Sequence, residues 1–275
     1  MQWPSFPVRR RFALASLALG CLGGARLVSA GETAAWQAWP DLGEASVTGV
    51  PTADTLALAN GRTVRLAGLR TPQPPVAGRP AEPGFAAALA WLGERAEGRR
   101  IRLYGPAGRQ DRFGRLVAHG LLDGPPASWL QAAMVAAGLA RVYAAPDEHK
   151  AIVRALLHRE ALARAATRGV WRDPAFAIRD AARPDAIPDG FQLVEGRVLA
   201  IGESAASLYL NFGSDWRQDF TAVVERRDRD GFEGWLRALR ALEGRRIRVR
   251  GAVFRRGGPA IRVRSDHAIE LLEEL

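Results

Sequence analysis

The stretch "EGRRIR" occurs twice, at residues 97–102 and again at 243–248. Each copy follows an apolar segment with helical periodicity and opens a segment that alternates like a strand. Upstream of the first copy, residues 43–69 read as three short strands, with Asn60-Gly61 as a hairpin turn between 55–58 and 63–69. A helix is expected from about Pro83 to Glu97, with Phe85, Leu89 and Leu92 at helical spacing and Pro83 suited to a first turn. Residues 99–105 and 115–122 read as two more strands. Ser128 is a candidate cap for a helix to about Ala137, and Asp147 for a longer one through about Thr167. Around the second copy, strands are expected at 192–201, 208–212 and 220–226, then a helix near 231–242. Strands at 245–254 and 260–264, joined by a Gly257-Gly258 turn, complete the pattern.

Both halves therefore run strand-strand-strand, helix, strand-strand, the order of a five-stranded OB-type barrel. The expected fold class is α+β, mainly β: two tandem OB-like barrels, the first carrying two extra C-terminal helices. The expected boundaries are a signal peptide at 1–30, a leader at 31–43, a first barrel domain at 44–172, a proline-containing linker at 173–190 and a second barrel domain at 191–275.

The chain has 275 residues, 48% of them hydrophobic and 25% charged, enough for one large core or two small ones. Its net charge of +10 suggests a polyanionic partner, since clustered cations displace counterions from phosphate backbones. That signal is weakened because Lys150 is the only lysine, so the excess is an arginine bias that codon composition alone can produce. The N-terminus reads as targeting: arginines at 9–11, an apolar run at 12–22, and "LVSA" before Gly31, with cleavage expected after Ala30. Arg9, Arg10, Arg11 and Phe12 also resemble a twin-arginine export signal. Cys21 follows Ala18-Leu19-Gly20, a poor lipoprotein box, so lipid anchoring is the weaker alternative. Cleavage at Ala30 would leave a chain without thiols, and the apolar run is short for a membrane span. Export to the periplasm or outside the cell is the expectation.

Three patches stand out in the first half: "TADTLAL" (52–58), "VRLAGLRTPQP" (64–74) and "GRQDRFGRLVAH" (108–119). In this order, with the closing "GLARVY" and "RGVW", they resemble the thermonuclease, or staphylococcal-nuclease-like, family over about residues 45–171. That resemblance implies a calcium-dependent phosphodiesterase. Two aspartates hold the ion, two arginines clamp the phosphate, and a glutamate near a Thr-Pro corner positions or activates water. Asp54 matches the first metal aspartate, and Arg65 and Arg115 match the phosphate arginines. At the corner the family reads Asp-Thr-Pro-Glu where this chain has Arg70-Thr71-Pro72-Gln73. A cation in place of a ligand disfavours calcium, and glutamine cannot accept a proton at neutral pH. General-base catalysis typically contributes about 10²–10⁴-fold, so hydrolysis is expected to be weak or absent.

Each of these residues also has a plain structural reading. Asp54 suits a turn position paired with Arg70 or Arg65 better than a metal site. Arg65 and Arg115 suit structural ion pairs as well as phosphate contacts. Asp111 suits a loop cap that steadies an arginine, while Arg112 and Phe113 are candidates for nucleic-acid contact, Phe113 equally for packing. His119, His149, His158 and His267 lack metal-ligand spacing. In the second half, Arg246, Arg248 and Arg250 share a strand face and Arg262 and Arg264 another, which would form one basic sheet face for nucleic acid if the registers agree. Tyr209, Phe212 and Trp216 either stack bases or plug the barrel.

The sequence thus supports an exported protein that binds nucleic acid or another phosphate-bearing ligand, its calcium-dependent phosphodiesterase weak or lost. The alternatives are a nuclease active by an altered mechanism, and a protein-binding module of the cell envelope.

Overall fold

The computed structural model describes residues 39–124 and 127–272. The expected signal peptide, Cys21 and all of the leader up to residue 38 lie outside the described residues. The first unit comprises β1 (Asp41–Thr52), β2 (Thr55–Leu58), β3 (Thr63–Leu66), β4 (Leu69–Arg70), α1 (Phe85–Ala96), β5 (Arg100–Tyr104), β6 (Leu116–Leu122), β7 (Ser128–Trp129), α2 (Leu130–Ala136), β8 (Arg141–Val142) and α3 (Lys150–Ala165). Strand β1 is long and bent. Its first half pairs with β5 and its second half with β2, while β3 pairs with β2 and, in parallel, with β6. Because β6 also pairs with β5, the sheet closes into a five-stranded OB-like barrel.

Alternation fills the barrel: Leu56, Val64, Leu66, Ile101 and Ala118 are fully buried. Helix α1 packs against β1 and buries Ala88, Leu92 and Ala96, one residue per turn on a single face. Truncating Leu92 to alanine there would cost about 2–5 kcal/mol.

The second unit comprises β9 (Arg179–Asp180), β10 (Gly190–Arg197), β11 (Ala200–Glu203), β12 (Ser207–Asn211), β13 (Thr221–Glu225), α4 (Trp235–Arg240), β14 (Arg246–Arg256), β15 (Gly258–Arg262) and β16 (Ile269–Leu271). Strands β10 and β11 are the two halves of one bent strand, pairing with β14 and β12 respectively. Strand β13 runs parallel to β15, as β3 does to β6. The circuit closes through the chain between β10 and β11, giving a second OB-like barrel with its own core of Val194, Leu208, Leu210, Phe220, Val224 and Ile247.

The repeated hexapeptide occupies the same place in both barrels. Gly98 and Gly244 both have positive φ, at 72° and 76°, and end the connection from the helix. Gly98 N–H donates to Val47 O and Gly244 N–H to Val198 O, each at the bend of the first strand. In return, Val47 N–H donates to Arg99 O and Val198 N–H to Arg245 O. Arg102 then faces Glu44 and Arg248 faces Glu195 across the strand pair.

Several local expectations are corrected. Ser128 lies in β7, and α2 is entered from Trp129 without a side-chain cap. Helix α3 is capped by His149, whose Nδ1 accepts from Ala151 N–H, while Asp147 is drawn to Arg109 at 2.8 Å. Residues 173–190 do not form an open linker: Phe176, Ala181 and Ile187 are buried, β9 pairs with β10, and Ala181 and Ile187 join the second core. The first strand begins at Asp41, inside the expected leader. Among the described residues, no helix is long and apolar enough to cross a membrane.

Candidate phosphate-binding site

Asp54 lies in the turn between β1 and β2, and register does the rest. Thr55 at the head of β2 faces Arg65 on β3, and Arg115 stands immediately before β6, the parallel partner of β3. Asp54 is 8% exposed and both of its carboxylate oxygens are engaged. Oδ1 accepts from the Thr52 and Thr55 hydroxyls at 2.9 and 3.0 Å, and Oδ2 from Arg65 Nε at 3.2 Å. Thr55 Oγ1 in turn accepts from Arg115 Nη1 at 2.9 Å. A continuous chain thus links Arg65, Asp54, Thr55 and Arg115.

Of the two partners expected for Asp54, Arg65 makes the pair. Arg70, which stands where the family pattern has its second metal aspartate, takes Glu82 as its carboxylate partner instead. A guanidinium carries five donors, more than these contacts engage on Arg65, and the Arg65 and Arg115 side chains are 29% and 22% exposed.

The second arginine is fixed from its own loop. Asp111 Oδ1 accepts from Phe113 and Arg115 backbone N–H groups, and Oδ2 from Arg115 Nε at 2.8 Å. Burial opposes ionisation of Asp111, but the Arg115 side chain and these N–H donors together hold its carboxyl below the ordinary value. Phe113 does not pack into the core: it is 67% exposed, with the guanidinium carbons of Arg112 and Arg115 at 4.7 and 5.2 Å from its ring centroid.

The corner differs from a simple strand end. Gly68, at φ 71°, breaks the alternation after β3, and its position is crowded by Leu156. The chain then re-enters as β4, paired with β8, so that Arg70 faces Arg141. Arg70 Nη2 bonds Glu82 Oε1 at 3.1 Å, and Glu82 Oε2 accepts from Gln73 N–H at 3.0 Å. The Thr71 carbonyl accepts from Arg70 Nη1 and from Gln73 Nε2 at 3.0 and 2.9 Å. Glu82 carries no sequence signal of its own: it lies nine residues beyond Gln73, in a proline-rich loop, and only the fold brings it back. Arg141 is buried with its pKa lowered to about 10, by desolvation first and by Arg70 second, while Glu82 and Glu160 oppose the shift.

The expected basic face of the second barrel is corrected. Arg250 is 2% exposed and bonds Glu160 of α3 at 2.8 and 3.1 Å, the Val142 carbonyl at 3.1 Å, and Glu270. Arg248 lies between Glu195 at 2.7 Å and Glu270 at 2.8 Å. Arg246 pairs with Glu195, while Arg262 and Arg264 both pair with Asp228. The strand face exists, but carboxylates from β10, β16, α3 and the 226–231 turn neutralise it. Glu160 had a readable signal: it sits in the buried stripe of α3 with Ile152, Val153, Leu156 and Ala163, where a carboxylate needs a cation.

Of the histidines, His119 is 2% exposed, with Nε2 3.2 Å from Glu148 Oε2. Among the described residues, no group of three or more His, Cys, Asp or Glu side chains could hold a metal ion. Comparison with curated proteins returned no match. Residues 63–173 match the family model described as Staphylococcal nuclease homologue, a span that includes Arg65, the altered corner and Arg115 but begins after Asp54. Residues 63–173, from β3 to just beyond α3, therefore form a thermonuclease-like domain.

Proposed function

We propose that the first barrel binds single-stranded nucleic acid, or a similar phosphodiester, through Arg65 and Arg115, with calcium-dependent hydrolysis weak or lost. The carrying observation is the pairing of a retained arginine cluster with a corner whose two carboxylate positions hold Arg70 and Gln73. Two partly exposed guanidiniums held by Asp54, Thr55 and Asp111 are pre-oriented for phosphate oxygens.

The donor set does not fit calcium. Calcium typically takes about six to eight oxygen ligands. Here Asp54 spends its oxygens on two hydroxyls and Arg65, and the Thr71 carbonyl accepts from Arg70 and Gln73. Glu82 brings a carboxylate to the corner, but Arg70 and the Gln73 N–H engage both of its oxygens. This donor set therefore supports no metal-driven step of hydrolysis. The signal-like sequence at residues 1–30 supports an extracytoplasmic setting for the binding.

The test is binding of a labelled single-stranded oligonucleotide by the full chain in the presence of a chelator, across a salt series. Affinity should fall with salt, and Arg65→Ala with Arg115→Ala should weaken binding and flatten the slope. Salt-independent affinity, or a double variant that binds like the parent, would remove the reading.

A further inference from the structure

The outer face of the second barrel carries a groove of about 340 Å³ between β12, β13 and the β14–β15 hairpin. Register assembles it. Tyr209 faces Val223 and Asn211 faces Thr221 across β12 and β13, Thr221 neighbours Ala260 on β15, and Arg256 faces Gly258. Gly202, Gly258 and Ala260 line it with little side-chain bulk, beside the rings of Tyr209 and Trp216. Phe212 points the other way, into the core against Phe220 with ring centroids 5.0 Å apart. One of the three aromatics in this segment therefore plugs the barrel while two line the groove.

Two features of the groove are unexplained by folding. Trp216 is 53% exposed, although burying an indole is among the larger apolar gains open to a chain. Cations also border the rings: the Arg256 guanidinium lies 5.6 Å from the Tyr209 centroid and that of Arg217 lies 4.7 Å from Trp216. The acid on this rim, Glu203, is balanced by Arg226 at 2.5 Å and Arg240 at 2.9 Å.

We propose that this groove is a second binding site, taking a base of single-stranded nucleic acid. Tyr209 and Trp216 offer ring surfaces for stacking, Asn211 offers a polar group to the edge of the base, and Arg256 and Arg217 meet the flanking phosphates. An apolar slot with a cationic rim matches a nucleotide better than a peptide, which would supply its own backbone donors and no phosphate. Base stacking on exposed aromatics beside arginine is the usual means of sequence-tolerant single-strand binding. The site is separate from Arg65 and Arg115 and does not depend on their role.

The experiment compares a fluorescein-labelled oligothymidylate with an abasic oligomer of the same length, using the full chain and fluorescence anisotropy. The chain should prefer the oligothymidylate by about tenfold. Trp216→Ala, at an exposed position, should remove that preference while leaving abasic binding unchanged. Repeating the comparison with Arg65→Ala and Arg115→Ala in place separates the two sites: the base preference should persist even where overall affinity falls. Equal affinity for both oligomers, no binding of either, or a preference unchanged by Trp216→Ala would each overturn the proposal.

Discussion

Arg102 and Arg248 hold the same place in the two copies of the repeat and face equivalent glutamates, Glu44 and Glu195, yet one side chain is 45% exposed and the other 10%. The local sequence sets the cross-strand pair, and what lies over the strand sets its environment. In the first barrel, the carboxylates that meet Arg102 are Asp41 and Glu44, both on its own partner strand. In the second, Glu270 of β16 adds a further carboxylate, and two residues on, Arg250 is enclosed by Glu160 from the other unit. The same residue type therefore anchors one barrel to its neighbour and, as Arg65 and Arg115, stays partly open beside the β1–β2 turn in the other.

The largest effect should come from the enclosed end of this contrast. Arg250→Ala would remove the guanidinium that bonds both Glu160 oxygens and leave that buried carboxylate only the longer Arg164 pair at 3.7 Å, at a cost of about 3–5 kcal/mol, seen as a much lower melting temperature by circular dichroism. Arg65→Ala with Arg115→Ala should behave in the opposite way, with a small change in melting and about tenfold weaker oligonucleotide binding. Its salt slope should fall by about 1.4, at roughly 0.7 per phosphate contact on a single strand. If the two sets of variants gave the same phenotype, the division between structural and ligand-facing arginines would fail.

Acid should act on the same network. Burial raises the carboxyl of Glu270, but Arg250 and Arg248 outweigh it and hold the group below its ordinary value. A depressed folded value stabilises the protein above the unfolded pKa, and that stability is lost as pH falls through the folded value. Melting temperature should therefore drop below about pH 4, and Glu270→Gln should make the acid limb shallower. The smallest effect belongs to Arg102→Ala, whose exposed pairs should leave melting unchanged where Arg248→Ala lowers it.

The barrels were legible because the repeat carries both the helix end and the strand start, and these are local properties. The altered corner was legible as well, since Arg70 and Gln73 stand in a recognisable Thr-Pro frame. Burial of Arg248 and Arg250 was not, because alternation says which residues share a face and nothing of the carboxylates that cover it from far along the chain. Glu82 escaped for the same reason. The packed segment at 173–190 misled through its prolines, which here fix turns that bury Phe176 and Ile187.

In the proposed function, the first barrel keeps a phosphate-binding arginine pair without calcium-driven hydrolysis. The most direct test is a calcium titration of single-stranded DNA digestion by the purified full chain, followed alongside binding. The expected result is bound DNA that stays intact, with no stimulation by calcium. Robust calcium-dependent digestion that Arg115→Ala abolishes would contradict the account.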